Sequence, residues 1–198
     1  MQFDDYDARV RLILASASAR RRELLTAAGL EFAVAPSAVD EQREPGELPE
    51  AYVARLALEK ARSVQAQYPA DVILGADTVV VVDGTVLEKP ASELDARGML
   101  AQLSGRAHEV LTGVAVVSAD GEQGHVERTR VWLAPLSPQE IDWYVETGEP
   151  MDKAGAYAIQ GLASRFVLRI EGSYANVVGL PVANILPLLA RAGFQPSI

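Results

Sequence analysis

Leu12-Ile13-Leu14-Ala15-Ser16-Ala17-Ser18-Ala19-Arg20-Arg21-Arg22-Glu23-Leu24-Leu25 decides how the rest of the chain is read. An apolar run, a turn of small and hydroxylic residues and a helix opening with three arginines follow one another. A strand that feeds a helix through such a turn points backbone N–H groups at whatever lies in front of the helix. Three cations in the first turn oppose the helix dipole, each costing roughly 0.3–1 kcal/mol when nothing compensates. An anion lodged in front reverses that sign. One alternative is three arginines splayed into solvent; the sharper reading is a phosphate-binding element.

Outward from this stretch, the bulk chemistry narrows what the anion is. The 198 residues carry a net charge of −9. A nucleic-acid binder normally presents a basic face, so no nucleic-acid partner is expected and the anion is a small one drawn into a cleft. Cysteine is absent, which excludes a disulfide framework, a thiolate nucleophile and zinc-thiolate sites. His108 and His125 are too few for a multi-histidine metal site, so any metal is a hard cation held by carboxylates and substrate oxygens. Of the 18 basic residues only Lys60, Lys89 and Lys153 are lysines, a hint that each sits where a compact, movable ammonium is wanted. No apolar run approaches the roughly 18–20 residues of a spanning helix. The first eleven residues lack a signal-peptide core. The expectation is a flexible extension over 1–10, one domain over 11–198, a cytoplasmic location and no membrane partner.

The elements follow from pattern. The opening helix spans about 19–28 and closes at Gly29, and a second strand follows over Glu31–Ala35. Pro36 to Pro49, holding Asp40, Glu41 and Arg43, reads as a solvated loop. Pro49 opens a helix to about Gln67 whose apolar stripe Val53, Leu56, Ala57 and Val64 has helical spacing. Lys60 lies on that stripe, either snorkelling from its edge or meeting a partner inside. Val72 to Leu74 reads as a buried central strand. Val79–Val82 and Thr85–Leu87 flank Asp83-Gly84 as a hairpin. Asp77 then falls between strand and hairpin, with Gly75 and Ala76 leaving room for a ligand and Lys89 returning to the same region. A helix over about Ser92–Leu103, an antiparallel pair over His108–Val117 and His125–Leu133, and a helix capped by Ser137-Pro138-Gln139-Glu140 come next. Lys153 to Ala163 is irregular and small-residue-rich. Phe166–Ile170 is a strand, Gly172–Asn176 a turn, and Pro181 opens a last helix to about Ala190. Two hairpins among these elements predict a mixed rather than purely parallel α/β sheet.

From about Leu12 to Ala190 the chain resembles the Maf family of nucleotide pyrophosphatases. The resemblance rests on Ser16-Ala17-Ser18-Ala19-Arg20-Arg21, Val39-Asp40-Glu41, Glu59-Lys60-Ala61, Gly75-Ala76-Asp77-Thr78, Lys89-Pro90, Asp152-Lys153-Ala154-Gly155-Ala156-Tyr157 and Gly172-Ser173-Tyr174 through Gly179-Leu180-Pro181. Order and spacing together make it specific. One departure is Ala19, where the family often has proline; alanine suits a first turn equally.

The resemblance implies an elongated mixed sheet with flanking helices, in two lobes around a nucleotide cleft. It implies hydrolysis of a nucleoside triphosphate to the monophosphate and pyrophosphate with a divalent cation, Mg²⁺ or Mn²⁺. Asp77 is then the proton acceptor, and Ser16, Arg20, Arg21, Lys60 and Lys89 hold the phosphates. Glu41 and Asp77 are the metal candidates. Arg20, Thr78 and Gln160 match the subgroup acting on dTTP and UTP, whereas the 7-methyl-GTP subgroup differs at Arg20 and carries glutamate in place of Gln160. A neutral amide pairs the mixed donor–acceptor edge of a pyrimidine; a cationic methylated purine favours an aromatic face and a carboxylate. A homodimer is implied by resemblance alone. The rival class is a non-catalytic nucleotide-sensing regulator of cell division. Against it stands Asp77, since a carboxylate beside phosphates repels them unless a metal or a reacting water is also there.

Overall fold

The architecture follows from one long strand and the uneven way its two edges are paired. Residues 10–196 are described, in a computed structural model; the extension expected over 1–10 lies outside them apart from Val10, as do residues 197 and 198. In chain order the elements are β1 (Leu12–Leu14), α1 (Ala19–Ala27), β2 (Ala33–Val34), α2 (Pro49–Gln65), β3 (Val72–Val82), β4 (Thr85–Leu87) and α3 (Glu93–Leu103). β5 (Ala107–Ser118), β6 (Gly121–Leu133), α4 (Pro138–Glu146), β7 (Val167–Glu171), α5 (Tyr174–Val178) and α6 (Val182–Arg191) complete them. The strands form one mixed seven-stranded sheet in the order β2-β1-β3-β5-β6-β7, with β4 also paired to β3. β2 is shorter than predicted, and the predicted turn at Gly172–Asn176 is the Ser173-capped start of α5.

Asp77 does not separate a strand from a hairpin, as its sequence context predicts. β3 is unbroken because β5 pairs with it continuously from Ile73↔Val117 to Val81↔Glu109. The other edge is different. β1 pairs with it only as far as Leu74, and β4 pairs with it only from Val80 onward. Among the described residues, 75–79 therefore present an edge with no strand partner, where Asp77 and Thr78 line a cleft as residues at a strand end would.

Gly75 also has a different task from the expected one. A Cβ on it would stand 2.0 Å from the Ala57 carbonyl oxygen, and one on Gly113 would stand 2.2 Å from that of Val53. The space belongs to α2, which lies against the bare backbones of β3 and β5. Asp77 is paired across the ladder with Gly113, so no side chain comes between it and this helix.

The two faces of the sheet divide the core. On the α2 face, Ala57, Ala61, Ile73 and Ala115 form one cluster and Tyr52, Val53, Leu56, Val79 and Leu111 another. On the opposite face, α1 and α6 cover Leu12, Leu14, Leu74, Ala76, Val114 and Val116. Further along that face, α3, α4 and the short turns between Glu149 and Phe166 cover Val80, Val82 and Val110. Between these two clusters lies the cross-strand pair Thr78↔Thr112, a polar seam in an apolar face. Among the described residues no helix is long and apolar enough to cross a membrane.

The α4 capping box forms as the sequence predicts: Glu140 N–H donates to Ser137 Oγ at 3.3 Å, and Ser137 N–H to Glu140 Oε2 at 2.9 Å. Ser137→Ala is expected to lower Tm by about 2–4 °C, read by calorimetry, and to leave turnover unchanged because α4 does not line the cleft.

Candidate functional site

A cleft of about 610 Å³ opens at the bare edge of β3. Ser16, Arg20, Arg21, Glu41, Lys60, Asp77, Thr78, Lys89 and Gln160 all line it. The structure thus gathers into one cavity the candidate catalytic, phosphate, metal and specificity residues, from segments as far apart as the turn after β1 and the turns before β7.

Lys60 is buried, and its ammonium sits between two carboxylates, 2.7 Å from Asp77 Oδ1 and 2.6 Å from Glu41 Oε1. It is not snorkelling. It lies one turn beyond Leu56 and Ala57 on the buried stripe of α2, facing the β3 residue that has a glycine beside it. The surroundings push the two carboxyls apart. Burial raises Asp77 above its ordinary 3.8, more than Lys60 and Arg21 pull it back. Burial acts on Glu41 in the same direction, but the hydrogen bond and charge of Lys60, with Lys89 and Arg21, hold that carboxyl below its ordinary value. A pair separated in this way can supply one proton acceptor and one permanent anion.

The same pair bears on the metal. Among the described residues no group of three or more metal-ligating side chains occurs. Glu41 and Asp77 nonetheless already converge on a single cation, the Lys60 ammonium. Two carboxylates, completed by phosphate oxygens and water, are the usual protein share of a Mg²⁺ site. The donor set fits a hard divalent cation that arrives with a triphosphate.

The three arginines of α1 have three fates. Arg20 Nη1 reaches across to Asp152 Oδ2 at 3.3 Å, and Asp152 also pairs with Lys153. Arg21 is buried and stands where a strand is missing. Its Nη1 donates to the Ala76 carbonyl at 2.8 Å and to Ser16 Oγ at 3.1 Å, its Nε to the Gly179 carbonyl at 2.9 Å, and its Nη2 to Thr78 Oγ1 at 3.1 Å. Four of its five N–H donors are thereby engaged with protein. Arg22 is exposed, and among the described residues its guanidinium hydrogen-bonds only the Ala17 carbonyl, at 3.3 Å.

Arg21 and Thr78 line the cleft, yet their polar atoms face other protein atoms. The freer groups are Ser16, Lys89 and Gln160. Ser16 Oγ accepts from Arg21 and from its neighbour Ser18 N–H at 3.3 Å, and its own proton is left for an anion. Lys89 and Gln160 are exposed at the cleft, and among the described residues Lys89 forms no ion pair.

Sequence reasoning missed Tyr52 and Glu88. The Tyr52 hydroxyl lies 2.5 Å from the Glu41 carbonyl and 2.7 Å from Glu88 Oε1, tying the loop that carries Glu41 to α2 and to the end of β4. Arg55 holds the same loop through Glu47 at 2.7 Å and the Gln42 carbonyl at 3.1 Å. Of these, Tyr52 had a signal. Tyr52 is two turns before Lys60 on one face of α2, and such a face aims its members at a common neighbour.

A family model described as Maf-like protein matches residues 11–192. A protein named dTTP/UTP pyrophosphatase from Symbiobacterium thermophilum is 54% identical over 184 residues, 93% of this chain and 95% of its own. Another of that name, from Koribacter versatilis, is 54% identical over 188 residues, 95% of this chain and 97% of its own. A solved structure titled nucleoside-triphosphatase / dITP/XTP pyrophosphatase, from Mycobacterium abscessus, is 16% identical with a TM-score of 0.47, covering 92% of this chain and 97% of that one. That last similarity is too distant to carry an argument.

Proposed function

This chain belongs to the Maf family, and on that premise we propose that it hydrolyses dTTP and UTP to the monophosphate and pyrophosphate. The observation that carries the reading is the Glu41–Lys60–Asp77 cluster, in which a buried carboxylate with a raised pKa sits in the same cleft as the Ser16–Arg21 turn.

Asp77 accepts a proton from a water attacking the α-phosphorus. The new O–P bond forms as the α–β bridging bond breaks, and pyrophosphate leaves with the electron pair. Lys60, already held against Asp77, and Lys89 receive the charge on the departing phosphates. Ser16 and the N–H groups at the start of α1 hold a phosphate oxygen. Glu41 and Asp77 would hold a divalent cation, Mg²⁺ or Mn²⁺, whose chemistry is to neutralise phosphate oxygens. Gln160 offers a neutral amide to the pyrimidine edge, and Arg20, fixed by Asp152, borders the nucleoside. Residues 11–198 act as one domain on free cytoplasmic nucleotides, as a homodimer, without nucleic acid or membrane.

A panel of nucleoside triphosphates with Mg²⁺ or Mn²⁺ in ¹⁸O-water tests this. Pyrophosphate is expected from dTTP and UTP, with the label in the monophosphate. Label in pyrophosphate would place the attack at the wrong phosphorus, and no release from any nucleotide would favour a sensing protein. On the same panel, Gln160→Glu is expected to lower dTTP and UTP turnover about tenfold or more, since it replaces an amide donor with a charge, and to raise relative turnover of 7-methyl-GTP. Preference of the unaltered protein for 7-methyl-GTP would overturn the pyrimidine assignment.

A further inference from the structure

The polar seam between the two apolar clusters continues inward from the cleft as a chain of buried hydrogen bonds. Arg21 Nη2 donates to Thr78 Oγ1, which lies 2.9 Å from Thr112 Oγ1. Thr112 Oγ1 in turn donates to the Asn176 carbonyl at 3.2 Å. Asn176 anchors the far end: its Nδ2 donates to Thr129 Oγ1 at 2.9 Å and to the Val110 carbonyl at 3.0 Å. Thr112, Thr129 and Asn176 are each 0% exposed, and none of them lines the cleft.

A guanidinium only donates, so Thr78 accepts from Arg21 and has one proton to pass on. The shorter contacts send it to Thr112, whose own proton goes to Asn176; the alternative acceptor for Thr78, the Gly179 carbonyl, is 3.4 Å away. The Asn176 amide is oriented by the Val110 carbonyl, which accepts from Nδ2, and among the described residues this leaves Oδ1 unpartnered. The two ends of the chain of hydrogen bonds meet the cleft at Arg21, which ties together Ser16, Ala76 and Gly179, and at the Val177–Gly179 rim just beyond Asn176.

We propose that Thr112, backed by Asn176, is a positioning residue for nucleotide binding and selectivity, holding Arg21 and the Val177–Gly179 rim at the separation the nucleoside requires. The proposal rests on the pyrophosphatase reading above for its substrate. On this view Thr78 affects selectivity by passing order to Arg21 rather than by touching a base.

Thr112→Val keeps the shape and removes only the hydroxyl. Asn176's carbonyl still accepts from Gly179 N–H at 2.9 Å, and Thr78 retains its longer route to Gly179, so the variant leaves no new orphaned group. Losing a charge-linked buried hydrogen bond is expected to raise KM for dTTP and UTP about tenfold, with a smaller change in kcat and a fall in the dTTP-to-dGTP turnover ratio. Thr112→Ser, which retains the hydroxyl, should recover most of both. Unchanged KM and ratio in Thr112→Val, or an equal loss in Thr112→Ser, would overturn the proposal in favour of simple packing. Should Thr112→Val not fold, Thr78→Val breaks the chain one link earlier and must show the same KM-weighted loss.

A readout without substrate separates this proposal from the reading it rests on. In ¹⁵N spectra the Arg21 Nε–H should be protected from solvent exchange in the unaltered protein and in Thr112→Ser, and exposed in Thr112→Val. Equal protection in all three would sink the positioning role whatever nucleotide is hydrolysed. A protein that hydrolyses no nucleotide but shows the protection pattern would retain the chain and lose the pyrophosphatase assignment.

Discussion

Asp77→Asn is expected to lower kcat for dTTP and UTP by about 10²–10⁴-fold, the usual contribution of a positioned general base, while leaving KM within a few-fold. The amide keeps the shape and still offers an oxygen to Lys60 Nζ, which now stands 2.7 Å from Oδ1, so a loss that persists at saturating Mg²⁺ belongs to the proton acceptor rather than to cation binding. Steady-state assay of pyrophosphate release reads it, and near-normal kcat in the variant would remove Asp77 from the chemistry. The pH dependence follows from the raised carboxyl. Asp77 acts only when ionised, so the acid limb of kcat/KM should lie above the ordinary 3.8 and vanish from the residual activity of the variant. Stability moves the other way. Between 3.8 and the higher folded value, the native state keeps a proton that the unfolded chain has released, so this group's contribution falls as pH rises through that window. Above the window its ionisation works against folding. Asp77→Asn should therefore unfold at the same or a higher Tm than the unaltered protein at pH 7, trading activity for stability.

Lys60→Met is expected to damage both activity and stability. Lys60 is the shared counter-ion of Asp77, whose side chain is 10% exposed, and Glu41, whose side chain is 51% exposed. Removing one partner of a buried pair commonly costs 3–5 kcal/mol. Glu41 can turn to water, so a loss near the lower end, about 3 kcal/mol, is expected here, equivalent to a Tm roughly 6–12 °C lower for a chain of this size. Activity should fall about 10²-fold or more, as when one preorganised donor to developing charge is lost. With its cation gone, Asp77 is raised further, so the native state holds its proton to higher pH and the variant regains stability on acidification. Urea unfolding at pH 5 and pH 8 measures this. A variant with an unchanged midpoint at both pH values would show that the pair contributes nothing to the fold.

Much of this architecture could be read in the residues themselves. The strand–turn–helix at Leu12–Leu25, the capping box at Ser137 and the Asp83-Gly84 hairpin depend on neighbours within a few positions, where propensity, capping and periodicity act directly, and the hairpins in turn pointed to a mixed sheet. The order and spacing of the short motifs marked Ser16, Arg20, Glu41, Lys60, Asp77, Lys89 and Gln160, and one cleft does collect them. What local sequence could not supply was the partner of each group. Lys60 and Asp77 both lie in apolar stretches, and only the approach of α2 to Gly75 and Gly113 puts them 2.7 Å apart. The gap from 75 to 79 arises from where β1 stops and β4 starts on a neighbouring edge, a matter of long-range register invisible along β3 itself. The three adjacent arginines are the plainest case: one chemistry, written three times, became an ion pair to Asp152, a buried clamp on four acceptors and an exposed side chain. Sequence alone determined that cations would gather at the start of α1. Tertiary structure decided which of them was buried, because helical rotation of about 100° per residue turns only Arg21 toward the Ala76 carbonyl on the unpaired edge of β3 and the Gly179 carbonyl just after α5.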